Sequence, residues 1–137
     1  MDKKELLDKV TQSFVELGNF LGYSIVKEKT ECYSSNIYLL DDNKKYSLQL
    51  EIEWRECDCF LYVVRLEDGK FPKAFYYANE NNEWCRKYIE EIYAIKNPVY
   101  TENGNMKNTS DFVEHKFDFY AQLIQNNPQP LKEILES

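Results

Sequence analysis

Histidine is almost missing from this 137-residue chain: His115 is the only one, so any mechanism that needs an imidazole must use it. Glycine and proline are scarce too, four of each, which leaves little material for long flexible linkers. Asp68-Gly69-Lys70 is a turn without the flanking pattern of a phosphate-binding loop, and no Gly-x-Ser-x-Gly elbow occurs. No apolar stretch approaches the length of a transmembrane helix. Nor does an apolar run follow the charged segment Met1–Lys9, as it would in a secretory leader. The expectation is therefore a cytoplasmic protein whose four cysteines stay reduced. Basic residues are in deficit: the net charge is −7, and residues 51–137 hold 16 acids against 10 bases. An acidic surface repels phosphate backbones and anionic headgroups, which argues against nucleic acid and membrane and for a basic protein as partner.

Aromatic side chains are plentiful, with 11 Tyr, 8 Phe and 2 Trp, and 43% of residues are hydrophobic. A chain of this length can bury roughly two-thirds of its unfolded surface, so residues 1–137 are expected to form one domain that needs neither metal nor disulfide for its core.

Periodicity places the elements. Leu6, Val10, Phe14, Leu17 and Leu21 share one face of a helix that Gly22 can end. Tyr23–Thr30 and Asn36–Leu40 are short β-prone runs, and Asp41-Asp42-Asn43-Lys44 is a turn signal. Tyr46, Leu48, Leu50, Ile52 and Trp54 alternate with polar residues, which predicts a strand with Glu51 and Glu53 on its outer face. A turn near Glu56-Cys57 leads into Cys59–Leu66, apolar on both faces like a central strand, and Lys73–Ala78 is a candidate fifth strand. Trp84, Cys85, Tyr88, Ile89, Ile92 and Ile95 lie within one helical arc ahead of Pro98, and Thr101–Asn108 is a polar loop. Ser110 or Asp111 can cap a further helix with Val113, Phe117, Tyr120 and Ile124 inside, and Leu131–Leu135 a last short one. The predicted fold is α+β: an N-terminal helix, an antiparallel sheet of four or five strands, then two or three C-terminal helices.

Candidate chemistry is sparse. Cys57 and Cys59, if both lie on a strand, point the same way at roughly 7 Å, too far for an unstrained disulfide, and no paired spacing supplies further zinc ligands. No metal or cofactor is expected. His115 falls on a polar helix face with Asp111 and Asp118, either of which can orient its ring, an arrangement equally natural for a solvated surface. Glu51 and Glu53 share a strand face, as paired carboxylates of hydrolases do, but no third acid, lysine or histidine recurs at a useful spacing.

The outer strand face is more informative. If Trp54 pairs with Cys59, Glu53 faces Phe60 and Glu51 faces Tyr62, so carboxylates and rings mix on one surface; a one-residue shift would send Phe60 and Tyr62 to the core instead. The candidate partner-binding residues are Glu51, Glu53 and Tyr62, with Glu56, Asp58, Glu67 and Asp68 near the strand ends. In the acidic run Glu51-Ile52-Glu53-Trp54, the acid-rich stretch up to Asp68 and Glu90-Glu91, the chain resembles the small acidic immunity proteins of bacterial toxin–immunity systems. That resemblance implies a non-catalytic module that neutralises a basic toxin domain by direct binding. The alternatives are a small enzyme with a carboxylate and His115 in an aromatic-lined pocket, or a small-ligand-binding or assembly domain.

Overall fold

The computed structural model describes residues 2–41, 44–72, 78, 80–100 and 109–137. The order of elements is α1 (Lys3–Leu21), β1 (Ile25–Thr30), β2 (Ser34–Leu40), β3 (Tyr46–Glu53), β4 (Asp58–Arg65), β5 (Arg86–Tyr88), α2 (Ile89–Ile92), α3 (Ser110–Asn126) and α4 (Gln129–Leu135). The fold is α+β, with the five strands in one antiparallel sheet in sequence order.

Helix α1 forms where the apolar period predicts it. The Asp2 carboxylate accepts from the Glu5 amide at 2.8 Å, and Leu6, Val10, Phe14, Leu17 and Leu21 are buried. Gly22 ends the helix at φ 88, and the Tyr23 and Gly22 amides return to the Gly18 and Asn19 carbonyls at 2.8 and 3.2 Å. This is a Schellman-type stop, which needs the left-handed conformation that glycine adopts most readily.

The core lies between one face of the sheet and the helices. Ile37, Leu39, Leu48, Leu50, Ile52, Cys59, Leu61 and Val63 project toward the helices and meet Phe14, Leu17, Val113, Phe117 and Ile124. Phe14 and Phe117 join α1 to α3 edge-on at 5.9 Å. Apolar residues on both faces of β4 mark it as a strand with paired neighbours on each side, and it lies between β3 and β5.

Several details depart from the sequence reading. Trp84–Tyr88 is not helical: Arg86–Tyr88 forms β5 against Tyr62–Val64, and only Ile89–Ile92 winds into a helix. The physical reason is the free edge of β4, whose backbone groups need partners and take them from this segment. The β3–β4 pairing is Ile52↔Cys59 and Glu51↔Phe60, two residues away from the expected Trp54↔Cys59. The turn occupies residues 54–57, and Cys57 adopts φ 49 there, so Cys57 and Cys59 do not share a strand face. Thr109, rather than Ser110 or Asp111, caps α3 by accepting from the Phe112 amide at 3.3 Å. Of the candidate fifth strand, residues 73–77 lie outside the described residues, and Ala78 makes an isolated bridge with Trp84. Asp42 and Asn43 of the expected turn and the polar loop Thr101–Asn108 also lie outside them. Among the described residues, no helix is long and apolar enough to cross a membrane.

Candidate functional site

The sheet face turned away from the helices carries a cleft of about 610 Å³. Its floor comes from alternate residues of neighbouring strands: Asn36 and Tyr38 of β2, Gln49 and Glu51 of β3, Tyr62 of β4 and Arg86 of β5. The two-residue slip in the β3–β4 pairing preserves strand parity, so Glu51 and Tyr62 stay on one face. The segment after β1 forms one wall, with Tyr33 exposed at 53%. Phe71 and Pro72 form another, and Phe71 packs against Tyr38 with ring centroids 4.5 Å apart.

Hydrogen bonds hold this floor in place. Arg86, only 8% exposed, reaches across β4 and donates through Nε to Gln49 Oε1 at 3.0 Å. The Gln49 amide then donates to Asn36 Oδ1 at 2.9 Å. A further Arg86 nitrogen donates to the Pro72 carbonyl at 3.1 Å, which ties the wall to the floor. These bonds link β5, β3 and β2 through buried side chains, and buried polar groups satisfied in this way define one arrangement.

Among the described residues, three acids and three bases border the cleft: Glu31, Glu51 and Glu53 with Lys29, Arg55 and Arg86. Lys29 pairs with Glu31 at 3.3 Å. Glu53 accepts from Arg55 Nε at 2.9 Å and from the Glu56 amide at 2.7 Å. The Arg55 hydrogen bond is the foremost cause holding the Glu53 carboxyl below its ordinary range. Arg55 also lies over the Tyr33 ring, 4.4 Å from its centroid. Glu51 differs: half-buried, it accepts from the Tyr62 hydroxyl at 3.0 Å, and no cation among the described residues comes within 4.0 Å of it.

The other candidate residues are dispersed. Tyr62 is 5% exposed, with its ring 4.8 Å from Tyr88, so it belongs to the cleft floor. Glu56 is exposed in the turn. Asp58 is bound to Lys116 of α3 at 2.8 Å and also accepts from the Cys59 amide. Glu67 and Asp68 lie beyond the opposite end of β4, roughly 25 Å from Asp58 by the strand rise. Glu51 and Glu53 are thus brought together with Tyr62, while Glu67 and Asp68 are not part of the same surface.

His115 is exposed on α3 and does not border the cleft. Its Nδ1 lies 2.8 Å from the Asp111 backbone carbonyl rather than against either carboxylate. Among the described residues, no group of three or more His, Cys, Asp or Glu is arranged to hold a metal ion.

A second polar cluster lies where α2, α3 and the start of β4 meet. The Lys116 ammonium sits 4.5 and 4.6 Å from the ring centroids of Phe60 and Tyr100 and salt-bridges Asp58. The hydroxyls of Tyr100 and Tyr120 both donate to Glu90 Oε2. Arg86 and Glu90 stand where a helical period puts solvated residues, so neither signals its role. Lys116, three residues after Val113 and four before Tyr120, falls inside the apolar arc of α3 and is the one member of this cluster that the pattern marks as unusual. Gln49 was visible as an outward strand position, but its hydrogen-bonded role was not. Comparison with protein-family models, with curated proteins and with solved structures found no significant match.

Proposed function

We propose that the protein is a non-catalytic binding module of the cytoplasm that neutralises a basic toxin domain by direct contact, using the helix-free face of its sheet. The observation that carries this reading is the cleft: its polar floor is fixed by the Arg86–Gln49–Asn36 bonds, and it sets carboxylates beside tyrosine rings in a chain of net charge −7. Aromatic rings with a few fixed polar groups suit a protein interface, and the surplus negative charge draws in a basic partner. The exposed position of His115, away from these side chains, supports a binding role over the alternative in which it works with carboxylates in one pocket.

The test is co-expression with a toxin encoded beside this protein, comparing the wild type with Glu51→Lys/Glu53→Lys. Both carboxylates are only partly exposed and hydrogen-bonded within the chain, so circular dichroism and a melting curve first establish that the variant folds. The folded variant should lose protection and bind more slowly, with a weaker dependence on salt. Full protection by the folded double variant would remove this face as the interface.

A further inference from the structure

Glu51 points to the kind of side chain that the cleft receives. We infer that it is the receptor for a single arginine side chain projecting from the partner, an assignment that rests on the binding function proposed above. The chain already contains the same recognition a few residues away. Arg55 is held by the Glu53 carboxylate at 2.9 Å and lies over the Tyr33 ring at 4.4 Å, so one carboxylate and one ring face together hold one guanidinium. Glu51 repeats half of that arrangement on the same strand face. Its carboxylate is fixed by Tyr62 at 3.0 Å, and Tyr38, packed on Phe71, borders the same cleft.

Glu53, Glu31 and Asp58 each have a cation from this chain, whereas Glu51 has none among the described residues. The Tyr62 hydroxyl occupies one position on Oε1, which leaves Oε2 and the second lone pair of Oε1 to take two parallel N–H bonds. A guanidinium supplies two such donors in one plane and a flat face for a ring, whereas an ammonium supplies neither. Arg86 borders the same cleft but makes no ion pair with Glu51 within 4.0 Å; it donates to Gln49 Oε1 and to the Pro72 carbonyl. Among the described residues the lining charges of the cleft balance, so attraction over distance comes from the chain's net −7 and the specific contact from Glu51.

The experiment is an amide chemical-shift titration of the isotope-labelled full chain with Nα-acetyl-arginine amide. The neutral citrulline analogue and the lysine analogue are run in parallel. Saturable binding in the low-millimolar range is expected for a ligand of this size, with shifts gathered on residues 33–38, 49–53 and 60–62. Citrulline should not saturate, and lysine should bind several-fold more weakly. Glu51→Gln keeps an oxygen for Tyr62 but removes the charge and turns the second acceptor into an N–H donor, and it should weaken arginine binding about tenfold or more. Equal binding of citrulline, unchanged binding by the folded Glu51→Gln variant, shifts confined to the helical side, or no saturable binding would each overturn the assignment. Toxin neutralisation that survives Glu51→Gln while arginine binding is lost would also overturn it, and would leave the neutralising function standing. Arginine binding at Glu51 without any captured toxin would overturn the function and leave the site.

Discussion

Lys116 is a cation almost wholly withdrawn from water, with its side chain 5% exposed while that of its partner Asp58 keeps 24%. The two ends of this pair should therefore respond differently to removal. Asp58→Ala strands the ammonium among Phe60, Tyr100 and Phe112, whose ring faces replace only part of the lost attraction, and should cost about 3 kcal/mol. Lys116→Met leaves a carboxylate that water can reach and should cost less, about 1–2 kcal/mol. Urea midpoints of the two variants measure the asymmetry; equal losses would contradict it. Near this pair, Tyr120 and the Cys59 thiol are buried, as is Tyr23 beside β3, and burial is the leading cause that raises all three above their ordinary ionisation range. Each stays protonated in the fold while its unfolded counterpart ionises near pH 8.5–10. The unfolded chain then binds fewer protons, so stability is complete below about pH 8.5 and falls as pH rises, by about 1.4 kcal/mol per pH unit for each phenol above its unfolded value. Denaturant titrations at pH 7, 9, 10 and 11 should show that decline, and Tyr23→Phe should flatten it.

Among the elements, α1 and β3 were legible because each carries an unbroken period, of 3.6 over five apolar positions in α1 and of 2 over four in β3. The strand β5 was not legible. Its three residues are too few to show alternation, and they sit inside an arc that suits a helix equally well. What decides the matter is the unpaired side of β4, a tertiary demand with no local trace. The cleft was half legible for the same reason: strand parity put Glu51, Glu53 and Tyr62 on one face, while the bonds that fix the floor run through Arg86 of that unforeseen strand. At the other end of the sheet, Gly22 shows how much an element boundary can rest on one residue. Its φ of 88 disfavours any side chain, although the position is open apart from Lys44 Nζ at 3.7 Å. Gly22→Ala should lower stability by about 1 kcal/mol through backbone strain alone, readable as a fall in melting temperature with an unchanged circular dichroism spectrum.

For the molecule as a whole, sheet and helix layer differ in how far along the chain their contacts reach. Each strand pairs with its neighbour in sequence, and β1 to β4 are joined by short turns, with a longer connection only before β5. The helix layer instead joins the two ends of the chain, with Phe14 against Phe117 and Lys9 bound to Glu114 across 105 positions. Closing a loop of that length costs about 2 kcal/mol more in chain entropy than closing one of ten residues. The consequence is an order of events in time. The β3–β4 hairpin should be formed at the folding barrier, and the docking of α1 on α3 should follow it. Leu50→Ala and Leu61→Ala should then chiefly slow refolding, while Phe14→Leu and Phe117→Leu should chiefly hasten unfolding, as the two limbs of a denaturant chevron would separate.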